Sequence, residues 1–68
     1  MASTRYRITV RGRLSERFAS AFDGMTVEAV GGETTLSGEL RDQSELYGML
    51  ERVRDFGLEL LRVEEVTE

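Results

Sequence analysis

MTVEAVGGETTLSGEL, residues 25–40, is two alternating runs joined by a pair of glycines. Met25, Val27 and Ala29 take one side of the first run, and Thr26, Glu28 and Val30 the other. In the second run Leu36 and Leu40 face the apolar side, with Thr35, Ser37 and Glu39 opposite. Period-two alternation is the mark of a half-buried strand. A two-residue type I′ turn needs positive φ at both central positions, which Gly31 and Gly32 adopt without steric cost. The stretch therefore predicts an antiparallel hairpin, two consecutive strands with no helix between them.

The flanks complete the pattern. Upstream, RYRITVRGRL (residues 5–14) sets Tyr6, Ile8, Val10 and Leu14 on one parity and Arg5, Arg7, Thr9, Arg11 and Arg13 on the other, again a strand. Ser15 offers an N-cap, and SERFASAF reads as a short helix turning Phe18, Ala19 and Phe22 inward before Asp23-Gly24 stops it. Downstream, Asp42 caps a second helix in RDQSELYGMLERVRDFG, with Glu45 three residues on in the capping-box position. Leu46, Met49, Leu50, Val53 and Phe56 recur at helical spacing, and Gly57 closes the helix. Gly48 inside it costs about 1 kcal/mol relative to alanine, which suggests close approach to a neighbour or simple tolerance. LELLRVEEV predicts a last strand; Leu60 and Leu61 are adjacent, and the preferred register turns Leu61 and Val63 inward and Leu60 outward.

The order β-α-β-β-α-β predicts an α+β fold: a ferredoxin-like sandwich of a four-stranded antiparallel sheet with two helices on one face. Right-handed crossovers would place the first and third strands centrally and the second and fourth at the edges. Residues 1–68 are read as one domain, with 1–4 as a flexible tail.

Composition removes several chemistries. With neither cysteine nor histidine, there is no disulfide, thiolate metal site, thiol nucleophile or imidazole base. The carboxylates are scattered over wet faces. Glu64 and Glu65 are neighbours in a strand and point to opposite sides, so they cannot share a substrate. No catalytic, metal-binding or cofactor-binding residue is predicted, and the expected protein is not an enzyme. No apolar run approaches the ~20 residues that span a bilayer, and Met1–Thr4 lead straight into charge. A cytoplasmic protein without a membrane segment is expected.

Net charge is −4, but residues 1–17 carry five arginines against one acid and residues 18–68 four arginines against twelve acids. If both helices cover one face of the sheet, the other presents the arginine row beside Thr35, Ser37 and Glu39. Arg7, Thr9, Arg11, Val30, Ser37, Glu39 and Leu60 form the candidate interaction face. The expected function is a small interaction module that forms a homo-oligomer or docks on a protein partner through this face or an edge strand. Alternatives are a small-ligand regulatory domain and an arginine-based nucleic-acid binder. The acidic balance and the lack of outward aromatics on the central strands weigh against nucleic acid. The arginines are expected to pair across strands with Glu39 and with Glu59 or Glu64.

Asp42-Gln43, Leu46, Gly48, Leu50, Arg52, Arg54-Asp55 and Gly57-Leu58, with VRGRLS and AFDGMTVE upstream, resemble a pattern in short, uncharacterised actinobacterial-type β-α-β-β-α-β proteins. That resemblance spans nearly the whole chain, implies the fold and implies no activity. LRDQSELYGMLERVRDFGLELLRV is also similar to the helix-and-strand pattern of ACT domains, modules that bind amino acids at pair interfaces. Their acidic ligand loop follows the first strand, whereas here that position reads GRLSER, so no ligand residue carries over and only a pairing module is implied.

Overall fold

The computed structural model describes residues 4–14, 20–22 and 24–66. Strand β1 spans Thr4–Arg11, β2 Thr26–Val30, β3 Glu33–Leu40 and β4 Leu60–Val66, and helix α1 spans Gln43–Asp55. The strands form one antiparallel sheet in the order β2-β3-β1-β4, so β1 and β3 are central and β2 and β4 are edges. This is an α+β fold.

One expected element falls mostly outside the described residues. The helix predicted over SERFASAF is not matched: residues 15–19, including Phe18 and Ala19, lie outside the described residues, and Ser20–Phe22 form a single 3-10 turn. Among the described residues there is one α-helix, so the two-helix ferredoxin-like arrangement is not reproduced. β1 is also displaced, because Gly12 takes φ +94° and ends the strand at Arg11, while its first residue, Thr4, already pairs with Leu40.

The hairpin follows the sequence closely. Gly31 and Gly32 take φ +59° and +81°, and Val30 pairs with Glu33 across them. The ends of α1 are equally local. The Asp42 side chain accepts from the Glu45 backbone N–H at 3.0 Å. Glu45 in turn accepts from the Arg41 backbone N–H at 2.7 Å rather than from that of Asp42, and also meets the Arg41 guanidinium. These hydrogen bonds, the backbone one first, hold the Glu45 carboxyl below the usual carboxylate range. At the other end the Gly57 N–H reaches the Arg54 carbonyl at 2.9 Å and the Leu58 N–H the Val53 carbonyl at 3.0 Å. With Gly57 at φ +72°, this is a Schellman closure.

The core lies between α1 and the centre of the sheet. Ile8 and Val10 of β1, Leu36 and Leu40 of β3, Leu46 and Val53 of α1, and Phe22 are buried together. Tyr6, Leu14, Met25, Met49, Leu50, Phe56 and Leu58 pack around them. The Phe22 and Phe56 rings meet edge to face, centroids 5.8 Å apart. Thr34, also fully buried on this face, donates its hydroxyl to the Gly12 carbonyl at 2.6 Å, so its polar atom is satisfied where no water reaches.

The register of β4 removes the conflict between Leu60 and Leu61. Arg62 pairs with Thr9, yet Leu60 pairs with Val10, so one extra residue, Leu61, is bulged out of the ladder. Glu59 lies against Arg11 through both backbone and side chain. Glu59 and Arg62 are thus both on the arginine face although three residues apart, which strict alternation forbids and a bulge permits. Leu60 falls on the helix side with Val63, contrary to the outward placement preferred from sequence.

Candidate interaction surface

Antiparallel partners share a face, so the pairings read directly as rows across the sheet, from β2 to β4. On the face away from α1 these are Val30–Glu33–Arg11–Glu59, Glu28–Thr35–Thr9–Arg62, Thr26–Ser37–Arg7–Glu64 and, at the far end, Glu39–Arg5–Val66. Four arginines are therefore interleaved with five glutamates. A face so balanced has little long-range pull on a polyanion.

The charges also engage one another. Arg11 Nε meets Glu59 Oε1 at 3.0 Å and Arg7 Nη1 meets Glu64 Oε1 at 3.7 Å, each between neighbouring strands. The third pair reaches further: Arg62 Nη2 on β4 meets Glu33 Oε1 on β3 at 3.3 Å. Since β1 lies between those strands, the Arg62 side chain must cross it, over the row holding Thr9. Thr9 is accordingly only 1% exposed, with its hydroxyl 3.4 Å from that of Thr35. Exposed pairs of this kind contribute ~0–1 kcal/mol each, so their main effect is to fix side-chain positions.

The seven candidate residues therefore separate. Arg7 and Arg11 are on the open face and held in ion pairs. Ser37 is half-buried between them and β2, and Glu39 is exposed and engaged in an interaction of its own. Thr9 is underneath the Arg62 bridge and offers no contact surface. Val30 is on the open face and 69% exposed, as expected, while Leu60 is 43% exposed but in the helix-side row. The pairing with Glu59 and Glu64 follows the expectation. Arg62 as the residue that closes the face was missed, because its role depends on a bulge that no short pattern announces.

The remaining exposed large apolar side chains in the sheet are Val27 on β2 and Val63 on β4, so every such residue of the described sheet lies on an edge strand. Tyr47 of α1 is exposed as well. Among the described residues no cluster of potential metal ligands forms, and no helix is long and apolar enough to cross a membrane.

Where α1 meets the end of β3 there is an open cleft of about 270 Å³, lined by Gly24, Met25, Glu39, Leu40, Glu45, Gly48, Met49 and Arg52. Gly48 contributes by what it lacks. A Cβ built there meets nothing within 4 Å, so of the two reasons weighed from sequence close approach falls and simple tolerance stands. Gly48→Ala is therefore expected to stabilise the fold by about 0.5–1 kcal/mol, the helix-propensity difference. Urea unfolding measures it, and a loss of stability would show that the helix surface is more crowded than described.

The family described as a domain of unknown function (DUF8691) matches residues 5–64, nearly the whole sheet and all of α1. The chain belongs to this family. No curated protein matches it. What the DUF8691 domain does must therefore be argued from its surfaces.

Proposed function

We propose that this DUF8691 domain is a small, non-enzymatic interaction module, in outline a ferredoxin-like domain, that associates with itself. One observation carries the reading: the centre of the open face is closed by its own ion pairs, while the exposed apolar residues of the sheet, Val27, Val30, Leu60 and Val63, lie on its two edge strands. An edge strand presents unpaired backbone groups, and apolar side chains beside them add area to any strand that docks there. A domain this small gains from burying such edges, having no disulfide to support it.

Molar mass by light scattering, followed from about ten to several hundred micromolar, tests the proposal. The mass is expected to rise above that of the monomer, and Leu60→Glu and Val63→Glu to lower it again. A monomer mass at every concentration overturns self-association.

The cleft beside Gly48 favours a second reading, a small-ligand domain, because Glu39, Glu45 and Arg52 are among the residues that line an open space. A thermal-shift screen of amino acids would separate the two, since a saturable rise abolished by Gly48→Leu belongs to the cleft alone.

A further inference from the structure

We infer that two copies of this domain pair through their β4 strands, antiparallel and about a two-fold axis at Val63, to make one eight-stranded sheet. The inference rests on the self-association proposed above and specifies its edge, its register and its partner.

The argument begins with which registers a two-fold axis permits. An axis normal to the sheet keeps both helices on the same side, so open-face residues must meet open-face residues. Along the regular part of β4, beyond the bulge, the open face holds Arg62, Glu64 and Val66, and the helix face holds Val63 and Glu65. Centring the axis on Arg62 sets arginine against arginine; centring it on Glu64 or Glu65 sets glutamate against glutamate. Like charges directly opposite are destabilising. Centring it on Val63 places Arg62 of each copy opposite Glu64 of the other, twice over, and brings the two Val63 side chains together on the helix side. Val63 is 39% exposed and Leu60 43%, so both have apolar area to give.

The pairing also extends the existing charge order. Arg7 already meets Glu64, and Arg62 already meets Glu33. Across the boundary the sequence of signs becomes Arg7, Glu64, then Arg62 and Glu33 of the second copy, alternating without a break. The other edge lacks this property. Glu28 is the one charged residue of β2, so no two-fold register there brings opposite charges together. A heterologous contact of β2 on β4 can set Glu28 against Arg62, but it does not close, and would build a filament.

Single charge reversals test the register. Arg62→Glu places glutamate opposite glutamate, and Glu64→Arg arginine opposite arginine. Each variant alone is expected to weaken dimerisation by about tenfold or more. An equimolar mixture of the two restores both opposite-charge contacts, and heterodimer affinity is expected to return to within about threefold of the unaltered domain. Sedimentation equilibrium reads the masses, and far-UV circular dichroism checks that each variant is folded. Recovery on mixing cannot arise from a damaged monomer. Association that is indifferent to both reversals overturns the β4 register while leaving self-association standing; mass growing beyond a dimer points to the filament and overturns the closed pair. A domain that is monomeric throughout removes both proposals.

Discussion

Phe22→Ala is expected to cost about 3–5 kcal/mol, the range for removing a buried phenylalanine. Phe22 is 1% exposed, and its ring meets Phe56 edge to face at 5.8 Å. The described chain there is a single 3-10 turn, Ser20–Phe22, followed by a Met25 N–H to Phe22 carbonyl bond of 3.0 Å. The ring ties that segment to the C-terminal end of α1, so truncation opens a cavity and releases the crossing between β1 and β2 together. A domain of this length has about 3–10 kcal/mol of total stability. The variant should therefore be largely unfolded at physiological temperature. Urea unfolding followed by circular dichroism gives the loss, with Val30→Ala, at 69% exposure, as a control expected within about 0.5 kcal/mol of the unaltered domain. A Phe22→Ala loss under about 1.5 kcal/mol would mean that the ring is not seated in the core.

Where a short-range rule determines the outcome, the fold was legible. Ile8 and Val10 alternate with arginines and are buried; Gly31-Gly32 makes the turn that two positive φ values demand; Asp42 and Gly57 begin and end α1. Each depends on residues within a few positions of itself. The departures are where distant segments meet. Of SERFASAF only the turn Ser20–Phe22 is described, and it is placed by the packing of Phe22 against Phe56 rather than by local spacing. Unbroken alternation turns Leu61 inward and Leu60 outward, whereas the bulge puts Leu60 in the helix-side row. The bulge is set by how β4 lies against β1, which the sequence of β4 alone does not encode.

The candidate surface divides along the same line. Parity correctly put Arg7, Arg11, Ser37, Glu39 and Val30 on the open face, because parity is a property of one strand and its partner. It could not show that Arg62 reaches across β1 to Glu33 and covers Thr9. A long side chain spanning two strands is invisible to a pattern that treats each strand singly. The same bridge moves attention from the covered centre of the face to its edges, where β4 has a strand side that no other strand of the sheet pairs. Edge residues such as Val63 have an unfilled side.

Gly38→Val sets strand propensity against packing, and packing is expected to win by about 3 kcal/mol. Valine is among the best strand formers and glycine among the worst, so propensity alone predicts a more stable β3. Gly38 is buried on the helix face opposite Tyr6, and the chain at 24–25 passes directly over it. A Cβ there would come 2.6 Å from Met25 Sδ, 3.3 Å from the Gly24 carbonyl oxygen and 3.5 Å from Met25 Cα. The thioether can swing aside, so Gly38→Ala should cost only about 1 kcal/mol. The two further methyls of valine meet backbone, which cannot move without pulling β2 off β3. A glycine inside an otherwise alternating run is the mark of such a close approach, and here it was the one readable signal of how the segment before β2 crosses the sheet. Urea unfolding of the alanine and valine variants should give a steep series, with Met25→Ala recovering most of the alanine loss and little of the valine loss. A valine variant as stable as the unaltered domain would show that the Gly24-Met25 crossing lies further from β3 than these distances state.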